Sequence, residues 1–203
     1  MRRALWITAL AAVAGCTHSV QRVYPHEGPF PASLALLPLN NLSNNLQAPI
    51  LVRKLLEARL RGAGFITTEA KAVDELLKGV GVTDGGQLAA VQPGKLGEVL
   101  GAQALLYGEV AKFGYTTLGV YNRRIVEVHL ILVDAVTGQK WWESTRADSH
   151  TAVGLDRDEI RRNLAVGLVE KYAETILKSP LRPEAEAVSE ALLQDLVRVR
   201  QAW

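Results

Sequence analysis

The run Ile125-Val-Glu-Val-His-Leu-Ile-Leu-Val133, then Asp134-Ala-Val-Thr-Gly138, then Gln139-Lys-Trp-Trp142, decides the fold class. Val126, Val128, Leu130 and Leu132 alternate with Glu127, His129 and Ile131, which is the period of a strand with one committed apolar face. Asp134 to Gly138 reads as a hairpin turn, with Gly placed to supply a positive φ. Gln139 to Ala147 then returns as a strand, and Ala104 to Phe113 reads as a third strand upstream. Short connections make these three strands antiparallel neighbours.

Upstream the pattern changes to alternating strand and helix. Ser33 to Leu39 predicts a first strand and Asn40 to Asn45 a loop. From Pro49 to Ala63, Ile50, Leu51, Leu55, Leu56 and Leu60 fall at helical spacing, with Arg53, Lys54, Glu57 and Arg61 opposite. Phe65 to Thr68 is β-type, and Lys71 to Lys78 predicts a helix with Val73, Leu76 and Leu77 inward. Val80 to Gly86 is a glycine-rich break, and Pro93 to Leu100 a short helix with Pro in its first turn. Downstream, Ile160, Leu164, Leu168, Tyr172 and Ile176 mark another helix, which Pro180 and Pro183 stop. Glu184 to Trp203 follows as an amphipathic helix with Val188, Leu192, Leu196 and Val199 on one stripe. The order β-α-β-α-α-β-β-β-α-α predicts an α/β (α+β) domain: a mixed sheet of about five strands with helices packed on it. The expected domain spans 33–179, with a helical extension at 180–203 that docks on its own domain or on another subunit.

The amino terminus sets the compartment. Met1-Arg-Arg3 is a positive cap, Ala4 to Ala14 an uncharged apolar run, and Val13-Ala-Gly-Cys16 its end. The run is shorter than the ~20 residues of a membrane-spanning helix and has the layout of a secretory signal, 1–15. Val13-Ala14-Gly15-Cys16 resembles the bacterial lipobox, which implies cleavage before Cys16 and a diacylglycerol and N-acyl lipid on its sulfur and amino group. Cys16 is the single cysteine of the 203 residues, so no intramolecular disulfide forms and a thiol nucleophile is not expected. Residues 16–32, with Pro25, Pro29 and Pro31, read as the lipidated tether. Thr17 after the Cys resembles the outer-membrane sorting choice, and the domain is expected to face the periplasm. The formal charge is +2, and losing Arg2 and Arg3 leaves the mature side chains neutral, which excludes a basic nucleic-acid binder.

Several stretches in order carry a family resemblance: Leu36-Leu-Pro-Leu-Asn-Asn41, Leu76-Leu77 with Gly81-Val-Thr-Asp-Gly85, Leu96-Gly-Glu-Val-Leu-Gly-Ala102, Ala104-Leu-Leu-Tyr-Gly108, and Val133-Asp-Ala-Val-Thr-Gly138 with Trp141-Trp142. Over about Ala32 to Ala147 the set resembles a family of bacterial outer-membrane lipoproteins of unknown function, known as surface-antigen candidates. The resemblance implies a fold similar to the amino-terminal domain of TolB and the periplasmic part of the curli secretion channel CsgG. It brings no catalytic residues, and it suggests secretion-channel or wall-synthesis complexes as company.

The chemistry-bearing residues are sparse. His18, His26, His129 and His150 show no metal-ligand spacing, and no cofactor is expected. His129 beside Glu127 reads as a half-buried strand histidine. Gly79 to Gly86 follows a helix and lacks Gly-Lys-Ser/Thr, so it is no phosphate loop. The serines show neither GxSxG nor SxxK. Trp141-Trp142 is the unusual feature: neighbouring strand residues face opposite ways, so both are core or one is an exposed partner contact. The expected function is a non-enzymatic, lipid-anchored interaction module that binds envelope proteins or itself. The alternatives are a small-ligand or glycan binder, with Tyr107 and a Trp lining its pocket, and an enzyme built around His129.

Overall fold

In the computed structural model, which describes residues 19–118, 121–153 and 179–203, the predicted meander is the centre of the molecule. The signal segment, Cys16 and the helix expected over Ile160–Ile176 lie outside the described residues. The elements are β1 (Ser19–Val23), β2 (Ser33–Leu36), β3 (Asn40–Asn41), α1 (Ala48–Gly62), β4 (Ile66–Thr67), α2 (Ala70–Lys78), a 3-10 helix (Gly85–Ala90), α3 (Pro93–Leu100), β5 (Ala104–Leu118), β6 (Tyr121–Asp134), β7 (Lys140–Val153) and α4 (Arg182–Ala202).

The mixed α+β class stands, with seven strands where about five are expected. They run β1-β7-β6-β5-β2-β4, and β3 also pairs with β5. β5, β6 and β7 are antiparallel, as their short connections require, while β2, β3 and β4 join in parallel through the αβ half. The additional edge strand is β1. It lies inside the segment read as tether and pairs antiparallel with β7, Ser19 opposite Arg146 and Val23 opposite Trp142. All five of its residues are exposed, so no apolar alternation marks it in the sequence.

The Asp134–Gly138 turn forms as predicted. One carboxylate oxygen of Asp134 accepts from the Val136 and Thr137 N–H groups and the Thr137 hydroxyl, and Gly138 takes φ +72°.

The two sheet faces are covered by different helices. On one, Leu34, Leu36, Leu106, Val128, Leu130 and Trp142 pack with Val52, Leu56 and Leu60 of α1 and Val188, Leu192 and Leu196 of α4. On the other, Ala35, Leu37 and Leu105 pack with Val73 and Leu77 of α2 and Leu96 and Leu100 of α3. The terminal helix therefore docks on its own domain. Glu184 and Asp195, which lie off its apolar stripe, are nevertheless buried against β6 and β7 by ion pairs with Arg124 and Arg146. Arg53 is likewise buried rather than facing water, while Ile50 and Leu76 stand half exposed.

The glycine-rich break is a packing device. Asp84 caps the 3-10 helix through the Gly86 N–H, and the Gln87 carboxamide oxygen accepts from the Asp84 N–H. A Cβ on Gly85 would lie 2.4 Å from the Leu39 carbonyl carbon. Only glycine lets this turn press against the chain between β2 and β3. Gly85→Ala is expected to cost about 2 kcal/mol in urea unfolding through overpacking. Gly114→Ala, where a Cβ meets nothing within 4 Å, should cost about 0.5 kcal/mol or less.

Candidate functional site

Three places on the described residues gather enough polar or aromatic groups to be considered. The first surrounds Trp141. The register between β6 and β7 shifts between Leu132, opposite Trp142, and Val133, opposite Lys140, leaving Trp141 as the extra residue of a bulge. A bulge breaks strict alternation, so both indoles enter the same hydrophobic cluster. Trp141 is 2% and Trp142 0% exposed, which corrects the reading of an exposed partner contact at this pair. His26 stacks on Trp141 at 3.7 Å between centroids, and Phe30 and Trp203 meet it edge-on at 5.7 and 5.0 Å. Trp203 Nε1 donates to the Gly28 carbonyl at 2.8 Å, and the Arg200 guanidinium lies 4.0 Å from the Phe65 centroid. This locks the segment from His26 to Phe30 onto the last turn of α4.

Beside it, Glu143 accepts from Lys140 Nζ at 2.7 Å and Arg22 Nη1 at 3.2 Å. The Lys140 hydrogen bond, opposed by burial and aided by Tyr24 and Arg22, lowers the Glu143 carboxyl from 4.5 to about 2. Asp134 is also lowered. Burial works against its ionised form, but the Thr137 and Val136 donors and the nearby His26 together outweigh it.

The second place is a groove of about 640 Å³ where the chain leaves β2 and β4 and enters α1 and α2. Pro38, Leu46, Ile50, Lys54, Glu69, Lys71 and Asp84 are among its lining residues. Arg53 forms its floor, donating to Asp74 Oδ1 at 2.6 Å and to the Leu36 carbonyl at 3.0 Å, so its charge is spent on joining α1, α2 and β2. Open α/β sheets bind ligands at this position, beyond the carboxyl ends of parallel strands. Leu46 is 81% and Ile50 49% exposed at its rim.

The third place is a cavity of about 300 Å³ lined by Asn40, Tyr107, Glu109, His129 and Ile131. Glu109 sits opposite His129 across the strands and accepts from Asn40 Nδ2 at 2.9 Å. No serine or threonine lines the cavity to complete a nucleophilic set. Trp141 and Trp142 lie in the core on the α1 and α4 side, so Tyr107 does not share a pocket with them. Ser144 donates to Asp195 at 2.8 Å, but that carboxylate is also held by Arg146 rather than by a histidine. The Asp74-Glu75 pair is spent on Arg53 and Lys78. His150 is exposed on β7, and His18 lies outside the described residues. Among the described residues no group of three or more His, Cys, Asp or Glu could hold a metal ion, and no helix is long and apolar enough to cross a membrane.

A mixed sheet with an aromatic lock around Trp141, a groove at the β2–α1 junction and an antiparallel meander defines an α+β domain of a kind found in bacterial lipoproteins. The family model described as "Putative lipoprotein GNA1162-like" matches residues 26–200, and the chain belongs to that family. A relative from Neisseria meningitidis serogroup B, named "Putative lipoprotein NMB1124/NMB1162", is 30% identical over 115 residues, covering 57% of this chain. That match spans about half, 54%, of the relative's own length. The crystal structure of lipoprotein GNA1162 from Neisseria meningitidis superposes with TM-score 0.57 at 25% identity, over 71% of this chain and all of that one. The PelC dodecamer from Paraburkholderia phytofirmans shares the fold, with TM-score 0.53 at 17% identity over 89% of this chain and 97% of that one.

The Glu143 cluster makes a pH-dependent prediction. A lowered carboxyl stabilises the folded chain fully above its ordinary 4.5, and that stabilisation is lost as pH falls toward about 2. Glu143→Gln is therefore expected to cost on the order of 1–2 kcal/mol at neutral pH, discounted because Arg22 and Lys140 are solvent-exposed. Urea titrations of both proteins should converge as the pH approaches about 2.

Proposed function

We propose that this protein is a lipid-anchored, non-enzymatic accessory module of the bacterial envelope. Signal cleavage releases Cys16, its diacylglycerol and N-acyl chains hold the outer membrane, and the α+β domain faces the periplasm. The observation that carries the reading is membership of a lipoprotein family over residues 26–200, immediately behind Val13-Ala14-Gly15-Cys16. Several acyl chains at about 0.8 kcal/mol per buried CH2 make such an anchor effectively permanent.

The module works by binding an envelope protein or a second copy of itself. The dodecamer formed by PelC, which shares the fold, supports self-association as one form of this. Leu46 and Ile50 supply the contact surface, since large apolar side chains this exposed mark interaction sites when they line one groove. The groove they border favours a second reading, a small ligand or glycan bound at the β2–α1 junction.

A photo-crosslinking residue at Leu46 in intact cells tests the interaction reading. One partner captured in near-stoichiometric yield, and lost at least tenfold with Ile50→Glu, is the expected result. No crosslinked species from a protein that is correctly lipidated and folded would contradict it. Cys16→Ser should leave an unprocessed chain that no longer carries lipid; a mature, membrane-retained Cys16→Ser protein would contradict the anchor.

A further inference from the structure

We infer that the outer edge of β1 is the membrane-contacting surface of the domain, docked on phospholipid headgroups. The inference rests on the lipid-anchor reading of Cys16 and deepens it. The argument is one of reach. Only Thr17 and His18 separate Cys16 from Ser19, the first residue of β1. Three residue steps of fully extended chain span at most about 10 Å. Once Cys16 is fixed at the bilayer surface, Ser19 therefore stays within about one headgroup layer of it. From Ser19 onward the 16–32 segment is not a free spacer, because Ser19–Val23 is hydrogen-bonded to β7, His26 is stacked on Trp141 and Phe30 meets it edge-on.

The surface itself suits a lipid headgroup layer. β1 closes one side of the sheet, and among the described residues nothing pairs with its outer edge. A free edge of five residues is a liability that folded proteins cover. Val20 is 42% and Val23 49% exposed, and Arg22 is two-thirds exposed at the side chain. No acidic residue occurs between Thr17 and His26, and Glu143, the carboxylate facing β1, is outnumbered by Arg22 and Lys140. Apolar side chains flanked by excess positive charge match an interface with anionic phosphates beneath it. The opposite sheet edge, β4, is five strand spacings away, roughly 24 Å. The groove between α1 and α2 lies on that side and is left open to the periplasm.

The test uses the lipidated full chain in vesicles of phosphatidylethanolamine and phosphatidylglycerol containing nitroxide-headgroup lipid. Cys16 is the sole native cysteine and its sulfur is a thioether in the anchored protein, so Val20→Cys or Ile66→Cys each provides a single site for a fluorophore. Ile66, 67% exposed on β4, is the distant control. Headgroup quenching at least threefold stronger at position 20 than at position 66 is expected. With a Gly/Ser insert of about twenty residues between His18 and Ser19, roughly 25 Å in root-mean-square length, position 20 should remain the more strongly quenched, because the β1 surface and not the tether length holds the headgroups. Equal quenching at both positions without the insert would overturn the proposal. So would loss of the difference with the insert, the sign of tether reach without docking, or self-quenching at position 20 without headgroup quenching, the sign of β1 pairing between two copies. The mass of the amino-terminal peptide separates the two levels of failure. A chain without acyl groups removes the anchor reading itself, whereas a lipidated chain with equal quenching removes only the docking surface.

Discussion

Asp195 is the constraint on which the rest of the fold hangs. It lies in α4, is 1% exposed, and receives Arg146 Nε at 2.7 Å, Arg146 Nη2 at 2.5 Å and the Ser144 hydroxyl at 2.8 Å from β7. A buried carboxylate is tolerable only with such a full set of partners, and removing one partner of a buried pair typically costs 3–5 kcal/mol. The pair adds little net stability over an apolar contact, but it admits few alternative seatings of the helix. It fixes how far α4 slides and turns on the sheet, and so where Val188, Leu192 and Leu196 enter the core.

The position of α4 then settles both chain ends. Its last turn brings Arg200 over Phe65 and onto the Ala63 carbonyl, and Trp203 against Trp141 and the Gly28 carbonyl. Those contacts hold the segment from His26 to Phe30 on the domain, and β1 precedes it directly. A buried charge pair near the carboxyl terminus thus positions the strand nearest the proposed lipid. The groove at the β2–α1 junction depends on a separate set, with Arg53 tying α1 to Asp74 of α2. The two ends of the sheet can therefore serve different tasks, anchoring at β1 and recognition near β4.

Much of this architecture is legible in the residues. The meander and its turn follow from alternation and from Asp134 and Gly138, and α1, α2, α3 and α4 form within a residue or two of their periodic patterns. What escapes has physical causes. β1 is an exposed edge strand whose order comes from hydrogen bonds to β7, so its side chains carry no apolar rhythm. β5 and β7 run beyond Phe113 and Ala147 through Thr116, Thr117, Ser149 and Thr151, where pairing with β6 continues without an apolar alternation to mark it. Both tryptophans are core, one of the two readings their adjacency allows, but what puts them on the same side is a bulge, invisible to a period-two rule. Arg53, Glu184 and Asp195 look like solvent-facing charges at helical spacing. Only tertiary packing supplies Asp74, Arg124 and Arg146 as partners. At the candidate site, the rim residues Ile50 and Leu46 are indistinguishable in sequence from core residues, because their exposure depends on which helix face the sheet leaves uncovered.

The most direct test of α4 as an integral layer is native-state hydrogen exchange in increasing urea, comparing amides of Leu192–Val199 with those of Val126–Leu132. One shared opening that merges both sets, lowered together by about 3 kcal/mol in Asp195→Ala, is the result this account predicts. If the α4 amides exchange through a separate, easier opening while the β6 amides keep their protection in Asp195→Ala, the helix is an appendage and the account is wrong.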